Sequence, residues 1–177
     1  MGSVNGLICL AIKDDGLFIW NPSIRKFKNL PDSRLKLKLT DGYDCPAGAK
    51  YGFGYDESND DYKVVGVLCR ERRYTFHHLE VKIYSLKSDS WRSMKYIPDG
   101  VQLMRQCMFL NGKLHCAVEL NGGFSENRNI MSMDLADEKC GTLEQPLYTG
   151  GNVFVKLDVV GSDLSIFCNY MKSHVDV

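Results

Sequence analysis

An excess of either charge is missing from this chain. Its 22 Lys and Arg are matched by 22 Asp and Glu, so no global field draws it to nucleic acid or to an anionic membrane surface. Long apolar runs are missing too: no stretch of 18 apolar residues occurs, and the sequence offers no candidate for a spanning helix. The opening residues, Met1-Gly2-Ser3-Val4-Asn5-Gly6, have neither the charged nor the apolar region of a secretion signal. Clustered cysteine is absent. Cys9, Cys45, Cys69, Cys107, Cys116, Cys140 and Cys168 are never closer than nine positions apart, which leaves no short-spaced set of zinc ligands. Within apolar patterns they read as reduced, core-filling thiols of a cytoplasmic or nuclear protein. No Ser-His-Asp or Cys-His set has the local context of a nucleophile. The expectation is a protein without cofactor, metal or catalytic residues.

What is present is a repeat. A turn precedes an apolar strand at Asn5-Gly6, Asp60-Asp61, Asn111-Gly112 and Gly161-Ser162-Asp163. These turns end at positions 6, 61, 112 and 163, giving intervals of 55, 51 and 51 residues. A second signature follows the first three turns: Trp20, Phe27, Leu30; Tyr84, Trp91, Met94; and Met133, Cys140, Leu143. Each triplet has offsets of plus seven and plus ten. Self-similarity at this period marks a β-propeller or related blade array.

The second unit is the clearest. Residues 79–84 alternate apolar and polar with the period of a half-buried strand, and residues 87–90 turn the chain back into Trp91. The third repeats it around Asn-Gly, a strong hairpin signal because both residues tolerate positive φ. The sequence predicts an all-β, incomplete propeller. Two full four-stranded blades, about 51–98 and about 107–146, are flanked by partial blades at about 1–31 and about 153–177. The first unit is expected to lack its innermost strand. So few blades fall short of the four to eight of a closed ring, which reads as a piece of a longer protein.

Candidate sites follow from that frame. The spacing of Trp20, Tyr84 and Trp91 suits packing between blades better than ligand stacking. Asp56-Glu57 and Asp137-Glu138 read as solvated turn acids rather than catalytic pairs. The adjacent His77 and His78 would point to opposite strand faces and would not chelate one ion. One segment fits a partner: Arg70, Arg72, Arg73, Tyr74, Phe76, His77 and His78 form a basic, aromatic connection within the second blade. Arg and aromatic residues are enriched at interface hot spots, and loops carry function on rigid scaffolds. A solvated hairpin extension is the plainer alternative. The leading reading is a protein-binding module. A carbohydrate-binding propeller using Trp20 or Trp91 as a platform, or a propeller glycan hydrolase with paired carboxylates, are the alternatives.

Six ordered motifs also carry a resemblance. Residues 4–10 (VNGLICL), 19–26 (IWNPSIRK), 51–56 (YGFGYD), 60–65 (DDYKVV), 81–92 (VKIYSLKSDSWR) and 111–115 (NGKLH) are similar to the plant F-box-associated domain. The resemblance covers nearly the whole chain and implies a kelch-like β-propeller. It also implies the substrate-recognition arm of a Skp–cullin–F-box ubiquitin ligase, whose partner is the protein to be degraded. No F-box precedes the motifs here, so contact with a Skp-type adaptor is carried over to no residue. The diglycines Gly122-Gly123 and Gly150-Gly151 fall out of kelch register.

Overall fold

A computed structural model describes residues 2–12, 16–33, 35, 44–45, 49–72, 75–94, 101–103, 107–120, 128–143, 153–170 and 174–176. They form antiparallel sheets standing side by side as propeller blades. Blade 1 contains β1 (Ser3–Val4), β2 (Leu7–Ile12), β3 (Gly16–Asn21) and β4 (Lys26–Asn29) in consecutive order. Blade 2 contains β5 (Asp44–Cys45), β6 (Lys50–Asp56), β7 (Asp61–Arg72), β8 (Thr75–Ser85) and β9 (Ser90–Ser93), with β5 and β6 both pairing β7. Blade 3 repeats this plan with β10 (Val101–Leu103), β11 (Met108–Leu110), β12 (Lys113–Leu120), β13 (Arg128–Asp134) and β14 (Cys140–Leu143). Blade 4 has β15 (Val153–Val160), β16 (Asp163–Tyr170) and β17 (His174–Asp176) among the described residues.

Two expectations are corrected. Blade 1 does possess an innermost strand, because Ser3 and Val4 pair with Ile8 and Leu7 across the Asn5-Gly6 turn. With φ of 49° and 79° at those two residues, the turn closes on itself and needs only two residues upstream to start a ladder. Nor are all seven cysteines reduced. Cys107 and Cys116 face each other across the β11–β12 hairpin with Cα atoms 4.3 Å apart and are joined as a disulfide. Directly opposed residues of an antiparallel pair approach to about 4.5 Å at the narrow sites, so the register brings these two together. Cys9 is a buried free thiol, and burial pushes its pKa up to about 12.

The repeat has a geometric meaning. Trp20 is paired with Phe27, Tyr84 with Trp91 and Met133 with Cys140, each directly across the last hairpin of its blade. Each hairpin closes through a left-handed residue five positions after the first member: Arg25 at φ 52°, Asp89 at 50° and Glu138 at 61°. Non-glycine residues rarely adopt this conformation, so its recurrence shows that one turn design was used three times.

Blades pack through alternating strand faces. Cys9, Leu17 and Ile19 of blade 1 meet Phe53, Val64 and Tyr84 of blade 2. From the other face of blade 2, Val65, Val67, Val81 and Ile83 meet Leu114, Val118, Met131 and Met133 of blade 3. That seam retains a void of only about 10 Å³, no more than one water needs. Gly54 permits this closeness, since a Cβ there would lie 2.5 Å from the side chains of Leu135 and Phe109. Between blades 3 and 4 the buried cluster among the described residues comprises Ala117, Ile130 and Leu157.

Candidate functional site at the loop-bearing end

A meander places successive connections at opposite ends of each blade. At one end lie the turns at 5–6, 22–25, 57–60, 86–89, 111–112, 135–139 and 161–162. All of them are short. The other end receives the β2–β3, β7–β8, β12–β13 and β16–β17 connections, together with the three that pass from blade to blade. The second and third blades reinforce this end: Asp44 and Cys45 pair with Arg72 and Glu71, and Val101 to Leu103 pair with Leu120 to Val118. The connections arriving from the preceding blade are thereby stitched to the far ends of β7 and β12.

The basic, aromatic segment lies at this same end, and its backbone extends the β7–β8 hairpin. The β7–β8 ladder runs through Cys69–His78, Arg70–His77 and Glu71–Phe76 to Arg72–Thr75. A bulge between Leu68 and Cys69 shifts the register, a device that bends a hairpin and re-aims its tip. Arg70, Arg72, Phe76, His77 and His78 therefore occupy a strand extension, with the two histidines consecutive on β8. Arg73 and Tyr74 lie outside the described residues.

A cavity of about 470 Å³ opens at this end between blades 1 and 2. Its apolar wall includes Ile12, Leu17, Leu30 and Leu35, and its polar wall Asp32, Ser33 and Tyr51. The rim is held from blade 2. Trp91 Nε1 donates to the Pro31 carbonyl at 2.7 Å, and Lys82 Nζ donates to the Ser33 carbonyl at 2.8 Å. The Ser33 and Tyr51 hydroxyls lie 3.3 Å apart. Such a volume with a few convergent polar groups falls within the range of small-ligand or side-chain pockets.

Among the described residues the buried charged groups Asp56, Asp61 and Lys63 lie toward the opposite, short-turn end, and their contacts are structural. Asp56 was expected in a solvated turn, yet it is 1% exposed. Lys63 Nζ meets its Oδ2 at 2.7 Å, reaches Glu138 at 3.6 Å and donates to the Leu135 carbonyl. Burial alone would raise the Asp56 pKa. Hydrogen bonds from Lys63 and Asn59 outweigh it and hold the carboxyl below its usual value. Asp61, the register partner of Asp56, accepts the Lys87 amide at 2.9 Å. These two buried acids are thus tied to structural partners beside a turn, unlike a glycosidase pair that frames a cleft. Among the described residues no group of three or more His, Cys, Asp or Glu is arranged to hold a metal ion.

The signature residues divide by blade. Tyr84 is fully buried against blade 1, with Trp91 tilted on it at 5.4 Å. Met133 is buried and Cys140 and Met94 pack beside it in the blade 2–3 seam. Leu30 is buried, whereas Trp20 is 36%, Phe27 68% and Leu143 45% exposed. Trp20 lies on the face of blade 1 opposite Cys9 and Ile19, and it does not line the cavity.

The sequence as a whole matches the family described as "F-box associated beta propeller domain" over residues 1–176. The chain belongs to that family. In Arabidopsis thaliana it is 33% identical to F-box/kelch-repeat protein At3g23880 over its full length, covering 47% of that protein. It is 32% identical to the F-box protein CPR1 of the same plant, with 99% of this chain and 47% of that protein aligned. The chain spans about half the length of the curated relatives it matches. This F-box-associated propeller therefore corresponds to one part of proteins whose names specify an F-box.

Proposed function

We propose that this F-box-associated propeller is the non-catalytic, substrate-recognition region of an F-box ubiquitin ligase adaptor, acting in the cytoplasm or nucleus. A protein substrate would be received at the loop-bearing end. One observation carries the reading: every long connection gathers at one end, while the other is closed by short, internally bonded turns. Sequence can vary at the first end without disturbing the seams, as a recognition surface requires. The cavity beside Ile12, Leu30 and Tyr51 would seat a side chain, and the basic hairpin at 70–78 would meet an acidic or aromatic stretch. The Skp-type adaptor would bind through an F-box outside residues 1–177.

Carbohydrate binding has support in the exposure of Trp20, but its counterpart Tyr84 is a buried packing ring, which favours a packing role for both. The test uses the full-length parent with a Skp-type adaptor, and quantifies proteins that accumulate when the ligase is inactivated. Arg70→Glu with Arg72→Glu should abolish enrichment of those proteins while adaptor binding persists. Unchanged enrichment, or loss of the adaptor with the substrate, would contradict the assignment.

A further inference from the structure

The seams obey a charge rule. Trp20, Tyr84 and Met133 each begin the signature of one blade, and the faces bearing Tyr84 and Met133 are covered by the blade before them. In each case the covering blade supplies a cation from the position eight after its own signature residue. It meets an acid five after the signature residue of the covered blade. Lys28 of blade 1 donates to Asp89 Oδ2 of blade 2 at 2.9 Å, and Tyr84 hydroxyl donates to the other oxygen of that carboxylate at 2.8 Å. Arg92 of blade 2 pairs with Glu138 of blade 3. Two seams, two equivalent pairs.

On blade 1 the corresponding face is apolar, and among the described residues no other blade covers it. Ile8, Leu10, Phe18, Trp20 and Phe27 share it by register and strand alternation. Phe18 and Phe27 pack edge to face at 6.3 Å, and Ile24 at the adjoining turn is 61% exposed. These are the structural counterparts of residues that blade 2 buries. The acid position, however, holds Arg25, in the same left-handed turn site as Asp89 and Glu138, and it has no ion pair among the described residues.

We infer that this face seats a further blade of the same polypeptide, lying outside residues 1–177. That blade carries Asp or Glu at the position occupied by Lys28 and Arg92 in the two internal seams, so the pair has reversed polarity. A second copy of this chain fits poorly, because its own residues at that position are Lys28, Arg92 and Gly141, two of which would repel Arg25. Relatives about twice as long have room for the missing blade. A reversed pair gives this seam an address: a blade with a basic residue there is rejected, since like charges brought together disfavour a wrong partner. The ring would therefore close in one order only.

The experiment is zero-length carbodiimide crosslinking of the full-length protein carrying Arg25→Lys, read by peptide mass spectrometry. The Lys28–Asp89 pair serves as an internal positive control. The expected product is a crosslink at monomer mass from position 25 to an Asp or Glu in the last hairpin of a blade beyond residue 177 or before residue 1. Reversing that acid to Lys should lower the midpoint of thermal unfolding, and Arg25→Glu in the same molecule should restore it. A crosslink between two copies, one to an acid within residues 1–177, or none while the control pair reacts, would overturn the inference.

Discussion

The seam between blades 2 and 3 and the seam between blades 3 and 4 use opposite faces of the same sheet, yet they are built very differently. The first interdigitates Val65, Val67, Val81 and Ile83 with Leu114, Val118, Met131 and Met133, and is sealed at its rim by Lys63, Asp56, Glu138 and Arg92. Among the described residues the second buries Ala117, Ile130 and Leu157, with Met108, Leu164 and Ile166 partly buried against them. It also contains His115, 8% exposed, whose Nδ1 has no hydrogen-bond partner. Register places His115 on the same face of β12 as Ala117. Among the described residues cohesion is therefore local, with a dry, charge-locked joint on one side of blade 3 and a smaller apolar cluster beside an unsatisfied polar atom on the other.

Removing one partner from the charge-locked joint should have the largest effect. Lys63→Ala leaves the Asp56 carboxylate, whose side chain is 0% exposed, without its counter-charge. Breaking a buried pair in this way costs about 3–5 kcal/mol, which urea unfolding would read as a clear fall in midpoint. A loss under about 1 kcal/mol would mean that water reaches the pair. Next come cavity-forming changes on the two faces of blade 3. Leu114→Ala should cost about 3–4 kcal/mol and Leu157→Ala about 2–3 kcal/mol, the difference reflecting how freely each site can relax. Equal losses would erase the contrast between the seams.

A smaller effect should appear with pH. Burial lowers the His115 pKa below its ordinary value of 6.5, with the nearby Lys113 ammonium acting in the same direction and a hydrogen bond to the Leu110 backbone opposing both. Because the folded state binds this proton less readily than the unfolded chain, the stability associated with neutral His115 is complete above pH 6.5 and declines as pH falls through that value. Hydrogen exchange should then rise in β15 and β16 before it rises in β7 and β8, and His115→Gln should flatten the dependence. The smallest effect belongs to Arg92→Ala. Its side chain is 51% exposed, so the loss should stay within about 1 kcal/mol; a larger value would make the rim, rather than the apolar faces, the main bond between blades 2 and 3.

Much of the fold was legible because hairpins reveal themselves locally. The plus-seven offset from Trp20 to Phe27 is the register of a four-residue loop, and Asn111-Gly112 fixes every pair around it. The disulfide was legible in principle by the same logic. Residues facing each other across 111–112 have numbers summing to 223, as Leu110–Lys113 and Met108–His115 do, and so do Cys107 and Cys116. The buried acid was harder to find. Asp56 borders a polar turn, and its burial depends on Lys63 and on a blade that begins far along the chain. Local composition carries no trace of that long-range neighbour. The loop end was only partly readable: basic and aromatic residues at 70–78 raised a surface as an expectation, and the length of the β7–β8 ladder there is set by pairing rather than by residue type.

The most direct test of end-specific recognition is a hydrogen-exchange footprint of the full-length protein with its captured substrate. Slowed exchange is predicted at the far ends of the β7–β8 and β12–β13 hairpins, around 70–78 and 118–128, and around the cavity at 30–35. The turns at 22–25, 86–89 and 135–139 should exchange as they do in the free protein. Protection confined to those turns, with the loop end unchanged, would contradict the account.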